Sequence, residues 1–257
     1  MIDQPFPQPL LTRLKNTDRV SVLTGAGISK ESGIATFRGK GGIWNKFKPE
    51  ELASVDAFLN NPEIVWEWYN YRRKIIEQVK PNVGHFVLAE MEKHFTFFSI
   101  CTQNVDGLHQ RAGSKNVFEL HGNISKNKCQ KCNQPIEHIN FEKELPRCQC
   151  GGLIRPDVVW FGEFLPEGVW ENCKFNATTS DVFLSIGTSS VVYPAADLPI
   201  QAQQNGAMVI EINPHPTQFS NSADFSLRGN SGEVLPKLWQ AIKELTISNG
   251  TILNLNS

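Results

Sequence analysis

The chain has 257 residues, 40% of them hydrophobic and 20% charged, with a net charge of −1. That is room for one large α/β domain with or without a small satellite, and the near-neutral charge removes any global electrostatic case for nucleic acid or an anionic membrane as a partner. No apolar run approaches the roughly 18 residues of a membrane span, and Met1-Ile2-Asp3-Gln4-Pro5 lacks the basic start of an export signal. A cytoplasmic, reducing compartment is therefore expected, where the six cysteines act as thiols or metal ligands, not disulfides.

Residues 19–23 read as a short buried strand, followed by Thr24-Gly25-Ala26-Gly27-Ile28-Ser29 and a polar helix start. Strand, glycine turn and helix N-terminus together make a phosphate cradle, in which Gly25 and Gly27 let the backbone approach a pyrophosphate. A tight turn made for steric reasons alone carries the same residues, and Lys30 stands where a third glycine or alanine is expected. The stretch 39–80 is aromatic and helical with no clear strand. At about 100° per residue, Val65, Trp68, Tyr69, Ile75, Ile76 and Val79 share one helix face, and Arg72 falls in its middle. Arg73 and Lys74 fall at its margin or beyond it. A guanidinium at position 72 snorkels, pairs with a carboxylate, or lines a cavity for an anionic ligand. Tyr69, three residues earlier, shares the same spot.

A helix is expected over 84–93, a strand over 95–101 and a second helix over 105–112. Between strand and helix, Gln103 and Asn104 offer the donors and acceptors that a ribose or carboxamide needs, although Asn104 or Asp106 also suits a helix N-cap. The strand 116–120 then delivers His121, which on the same sheet edge would serve as a base near neutral pH. Cys129-x-x-Cys132 and Cys148-x-Cys150 are separated by fifteen residues, which suits four thiolates closing on a structural zinc with no open position. Gly151 and Gly152 supply the turn behind the second pair. Cys101 closes an apolar strand and reads as a small core residue, and neither it nor Cys173 reads as a strong nucleophile.

Helices at 167–177, 195–205 and 233–245 alternate with strands at 181–186 and 208–212, so the sheet should be parallel and doubly wound. Gly187-Thr188-Ser189-Ser190 and Asn213-Pro214 are two more polar strand ends, and their convergence with the earlier ones defines a cofactor crevice. Pro214 also makes Asn213 a plausible turn residue.

Taken together these residues resemble the sirtuins, the NAD-dependent protein lysine deacylases. The match runs from Gly25-Ala26-Gly27-Ile28-Ser29 through Ser32-Gly33 and Phe37-Arg38 to Gln103-Asn104-Val105-Asp106, Leu108-His109, Ala112-Gly113 and His121-Gly122. It continues through the four cysteines, Arg155-Pro156, Val158-Val159-Trp160-Phe161-Gly162-Glu163, Gly187-Thr188-Ser189-Ser190 and Glu211-Ile212-Asn213, in the family's order over roughly residues 19–245. Lys30 and Ala35 depart from the commoner alanine and proline, and the second cysteine pair is one residue tight.

The resemblance implies a Rossmann-like NAD-binding domain (1–38, 81–123 and 155–257) and a smaller zinc-ribbon and helical module (39–80 and 124–154), with NAD and acyl-lysine meeting in the cleft between them. It implies that nicotinamide leaves the ribose as the acyl oxygen attacks, and that His121 is the general base for a ribose hydroxyl. The products would be free lysine, nicotinamide and O-acyl-ADP-ribose. NAD would be held by Gly25, Ala26, Gly27, Ser29, Phe37, Arg38, Trp44, Gln103, Asn104, Val105, Asp106, Gly187, Thr188, Ser189, Asn213, Pro214, His215 and Ser231. Val159, Phe161, Gly162 and Glu163, in the extended run 158–163, would pair edge-on with a substrate peptide. Tyr69-x-x-Arg72 is similar to the motif of the subgroup that removes succinyl and malonyl groups, with Ala53 at the position where a small residue widens the pocket. Many bacterial members with this motif retain deacetylase activity as well, so the resemblance implies that both activities are open here.

The expected partners are acylated proteins, with no nucleic acid and no membrane, and a monomer is compatible with the sequence. Deacetylation alone and mono-ADP-ribosyl transfer remain the enzymatic alternatives. A nucleic-acid ribbon is disfavoured because Glu137, Glu142 and Glu144 offset Lys126, Lys128 and Lys131. An NAD dehydrogenase is disfavoured by the lack of an acidic ribose-binding residue after the second strand.

Overall fold

The computed structural model describes residues 6–37, 48–137, 139 and 144–252. In chain order its strands are β1 (Arg19–Thr24), β2 (Phe97–Thr102), β3 (Val117–Glu119), β4 (Gly122–Cys129), β5 (Pro135–Ile136), β6 (Ile154–Val158), β7 (Val182–Ile186), β8 (Met208–Ile212) and β9 (Phe225–Leu227). The helices are α1 (Gln8–Lys15), α2 (Ala26–Lys30), α3 (Pro49–Leu52), α4 (Val55–Asn60), α5 (Pro62–Gln78), α6 (Val83–Glu92), α7 (Leu108–Arg111), α8 (Glu167–Thr178), α9 (Leu198–Gln204) and α10 (Ser231–Ile252). Among the described residues no helix is long and apolar enough to cross a membrane.

Six strands form one sheet in the order β3-β2-β1-β7-β8-β9, every neighbouring pair parallel. Parallel strands covered on both faces need apolar side chains throughout, and β7 is buried at all five positions. One face packs Val20, Val22, Ile100 and Leu184 against Leu10, Leu14, Leu88, Leu235 and Leu238 of α1, α6 and α10. The other packs Leu23, Cys101 and Phe183 against Cys173, Ala177 and Leu198 of α8 and α9, so Cys101 and Cys173 are both core residues. The chain winds outward from β1 to β3 and then returns to β7 on the other side of β1. The crevice at this reversal is where open α/β sheets bind ligands.

A second sheet, β5-β4-β6, is antiparallel and carries the cysteines. It shares a core with α4 and α5 built on Phe58, Trp66, Tyr69, Ile124, Ile154 and Trp160. Two polar ties fix α5 to it. Trp66 Nε1 donates to Ile154 O at 3.0 Å, and Arg73 donates to Ile124 O at 2.6 Å and Asn127 Oδ1 at 2.7 Å.

Several expectations are corrected. β6, which the sequence reading did not single out as a strand, pairs with β4 in the small sheet, and β4 begins at Gly122. The helix expected over 105–112 is the single turn α7, because Gly107 takes φ +67 and Asp106 Oδ1 accepts from Leu108 N at 2.9 Å. The segment 195–205 opens as a 3-10 turn, Ala195–Asp197, before α9 begins. The run 158–163 is extended only to Phe161; Glu163 N donates to Trp160 O, and Gly162 turns at φ +86. α1 and β9 were not anticipated.

Candidate active site

The two glycine turns meet at the switch point. Gly25 N donates to Ile186 O at 3.0 Å and Gly27 N to Gly187 O at 2.8 Å. A Cβ on Gly27 would lie 2.6 Å from Gly187 Cα, and one on Gly25 would lie 2.8 Å from Gly187 O. These glycines are therefore needed first for close approach of one turn to the other. The helix behind them is only five residues long, and its Gly27 and Ile28 amides are already bonded, which leaves Ala26 N as the first-turn donor without a partner among the described residues.

Around this junction lies a cleft of about 1150 Å³, somewhat larger than the usual small-molecule site and large enough for a dinucleotide plus a side chain. Gln103 Nε2 donates to Thr188 Oγ1 at 3.1 Å, and Asn213 Nδ2 donates to Thr188 O at 2.8 Å, which locks three strand ends into one rim. Ser189, Pro214, His215 and Ser231 line the same cleft. Ser231 Oγ donates to Glu31 Oε2 at 3.2 Å. The loop after β8 is held from below by Glu211, a buried carboxylate that accepts from Thr217 and Ser220 and from Arg228 at 2.8 Å.

Ser29 and Asp106 sit deeper, in a small side cavity shared with Phe37, Arg72, Asn104 and Val105. Ser29 Oγ donates to Asp106 Oδ2 at 2.7 Å, and Asn104 Nδ2 donates to Gly25 O at 3.0 Å. Burial pushes the Asp106 carboxyl up, against the lowering effect of Leu108 N–H, Ser29 and Arg72.

His121 closes the strand end beside Gln103. Its Nδ1 lies 3.0 Å from Gln103 O, a partner that only accepts, so Nδ1 carries the proton and Nε2 keeps a lone pair. Burial lowers its pKa, opposed by the Gln103 bond, so the ring is neutral at pH 7. A neutral imidazole with its second nitrogen in a cleft is equipped to take a proton.

Ala53, Tyr69 and Arg72 also line the cleft, Arg72 reaching the side cavity as well. Arg72 is 7% exposed, and its guanidinium lies over Phe37 and Trp68, 4.7 and 4.9 Å from the ring centroids. Among the described residues it makes no hydrogen bond or ion pair, so it neither snorkels nor pairs as two of the sequence readings allowed. Burial lowers its pKa, while Tyr69 and Asp106 nearby act to raise it. Tyr69 is buried, its pKa pushed up to about 12 by desolvation, and it accepts from Trp160 Nε1 at 2.8 Å. Val159, Phe161, Gly162 and Glu163 also line the cleft. The Glu163 carboxylate is occupied, accepting from both terminal nitrogens of Arg155 at 2.6 and 2.9 Å and from Trp160 N at 2.8 Å. Arg155 and Trp160 are thus framework residues that motif reading quoted without giving a role.

The sulfurs of Cys129, Cys132, Cys148 and Cys150 lie within 4.8 Å of one another, with Cys129–Cys150 at 3.5 Å and Cys132–Cys148 at 3.8 Å. A tetrahedral site with Zn–S bonds of about 2.3 Å has sulfur–sulfur edges of about 3.8 Å, so the cluster fits zinc. A Cβ on Gly152 would lie 2.7 Å from Cys129 Sγ, which explains the glycine behind the tight second pair. Arg38 and Trp44, also expected at the cofactor, lie outside the described residues.

The model of the Sir2 family matches residues 25–194. The NAD-dependent protein deacylase of Aquifex aeolicus is 51% identical over 90% of this chain and 98% of its own length. That of Pyrococcus furiosus is 49% identical over 91% and 96%. A solved Sir2 homologue in complex with NAD superposes with a TM-score of 0.88 at 44% identity, covering 94% of this chain and 96% of that one. A Sir2 protein bound to a myristoylated histone peptide superposes at 0.74 and 33% identity, over 93% and 96%. With the match spanning both glycine turns, the histidine strand end and the cysteine cluster, this chain belongs to the Sir2 family.

Proposed function

We propose that the protein is an NAD-consuming protein lysine deacylase that favours succinyl and malonyl groups and accepts acetyl. The observation that carries the proposal is the presence, in one cleft, of a neutral His121 and a buried Arg72 that makes no hydrogen bond or ion pair among the described residues. The relatives named above as NAD-dependent protein deacylases support the same activity.

NAD, as co-substrate, would supply the electrophilic ribose carbon and the ADP-ribose that accepts the acyl group. The glycine turns, Gln103, Thr188, Ser189 and Asn213 would bind it, with Asn104, Asp106 and Ser29 around its carboxamide end. His121 Nε2 would take a proton from a ribose hydroxyl, its other nitrogen held by Gln103 O so that the ring cannot turn away. Arg72 would hold a distal carboxylate with two parallel N–H donors, and Tyr69 would add a third. An acetyl group leaves that end of the pocket unused. The four cysteines would hold a structural zinc, and their need to stay reduced supports a cytoplasmic location.

Nicotinamide release should require an acylated peptide; equal release with an unmodified lysine peptide would overturn deacylation in favour of ADP-ribosyl transfer. For the acyl preference, Arg72→Met should lower kcat/KM for succinyl peptide roughly a hundredfold more than for acetyl peptide. Equal loss of both rates counts against it.

A further inference from the structure

Tyr69 raises a question that the Tyr-x-x-Arg motif alone does not answer. A phenol hydroxyl both donates and accepts, so by itself it does not discriminate a carboxylate from a neutral group. Here its acceptor side is taken: Trp160 Nε1 donates to Tyr69 Oη at 2.8 Å. No acceptor among the described residues takes the Tyr69 proton, and the side chain faces the cleft beside Arg72.

The indole has little freedom to release that bond. Arg155 Cζ sits 3.2 Å from its ring centroid, and Phe58 packs against it at 5.2 Å. Arg155 is itself fixed, 1% exposed, through Glu163, Val158 O and, at 2.8 Å, Gln130 Oε1 in the cysteine ribbon. The Trp160 backbone N–H is held by Glu163 as well. Ring plane and main chain are both clamped, so the N–H direction is built into the fold.

We infer that Trp160 is a specificity-determining residue for anionic acyl groups, acting through Tyr69: its N–H fills the acceptor side of the phenol and commits the phenol proton to an acceptor in the cleft. The inference rests on the acyl reading proposed above. A succinyl or malonyl carboxylate meets two donors, Arg72 and Tyr69, while an acetyl methyl meets neither. Trp160 is a positioning residue in this scheme, since its N–H touches Tyr69 and not the acyl group.

The test is the ratio of kcat/KM for succinyl peptide to that for acetyl peptide, a quantity in which any misfolded fraction cancels. Trp160→Phe should lower the ratio roughly tenfold, the effect of losing one oriented hydrogen bond to a charged group. Replacing the indole by its benzothiophene isostere, which keeps both rings and lacks the N–H, should give the same drop. In a Tyr69→Phe background neither change should lower the ratio further. The inference is overturned if both rates fall in the same proportion, if the isostere leaves the ratio unchanged, or if the drop persists without the Tyr69 hydroxyl. Arg72→Met run alongside separates the two claims. A ratio that moves with Arg72 and not with Trp160 defeats this inference alone, whereas one that does not move with Arg72 defeats the acyl reading and this inference with it.

Discussion

At the scale of single residues, His121 shows why burial matters more than identity. A surface histidine is half charged near pH 6.5, but one whose charged form is desolvated stays neutral to lower pH. A base works only unprotonated, so kcat/KM should hold constant through pH 7 and fall as pH drops through the lowered His121 pKa. The acid limb should therefore have its midpoint below 6.5. A pH profile with acyl peptide in limiting concentration checks this, and a midpoint above 6.5 would contradict it. His121 was legible in the sequence from its place after a strand and before Gly122. Arg72 was legible only as a conflict, a charge inside an apolar helix face, and the fold was needed to see that among the described residues no carboxylate forms an ion pair with it, Asp106 acting on it only from a distance. Trp160 carried no signal of its own, because its role depends on Tyr69 and Arg155 arriving from two other elements.

At the scale of elements, the turn after β1 was read correctly for position and incompletely for cause. The sequence suggested that Gly25 and Gly27 make room for a ligand, and the structure adds that they make room for Gly187 and Thr188. No local window holds that information, since the partner turn lies beyond β7. Gly27→Ala would push a methyl into Gly187, an overpacking worth about 1–3 kcal/mol, so the melting temperature should fall by roughly 2–12 °C. Calorimetry of the variant tests it, and an unchanged melting temperature would show that the junction yields freely. The sheet to which β6 belongs was illegible for a related reason. A pentapeptide such as Ile154-Arg155-Pro156-Asp157-Val158 does not say which sheet it joins, and here the partner is set by the cysteine ribbon, through the bulged β4–β6 ladder that ends at Cys129–Ile154. The α5 face was read with Trp68 and Ile75 inward, yet Trp66 is the fully buried aromatic, drawn in by its bond to Ile154 O.

At the scale of the whole molecule, alternation of strands and helices was enough to anticipate a parallel sheet wound both ways, and the cysteine spacing was enough to anticipate that the four thiols gather in one cluster. Strand order was not legible, because it depends on where the chain reverses and not on any strand's composition. That reversal has a consequence for how the protein comes into being. The cradle is two half-surfaces, one from residues 25–27 and one from residues 187–188, and each supplies the hydrogen-bond acceptors or donors that the other lacks. Synthesis delivers the first half about 160 residues before the second, the distance from Gly27 to Gly187. A nascent or truncated polypeptide that stops short of β7 displays the glycine motif on an unclosed edge and has nothing against which to hold a dinucleotide. The cradle thus cannot close before β7 and the turn behind it have been made.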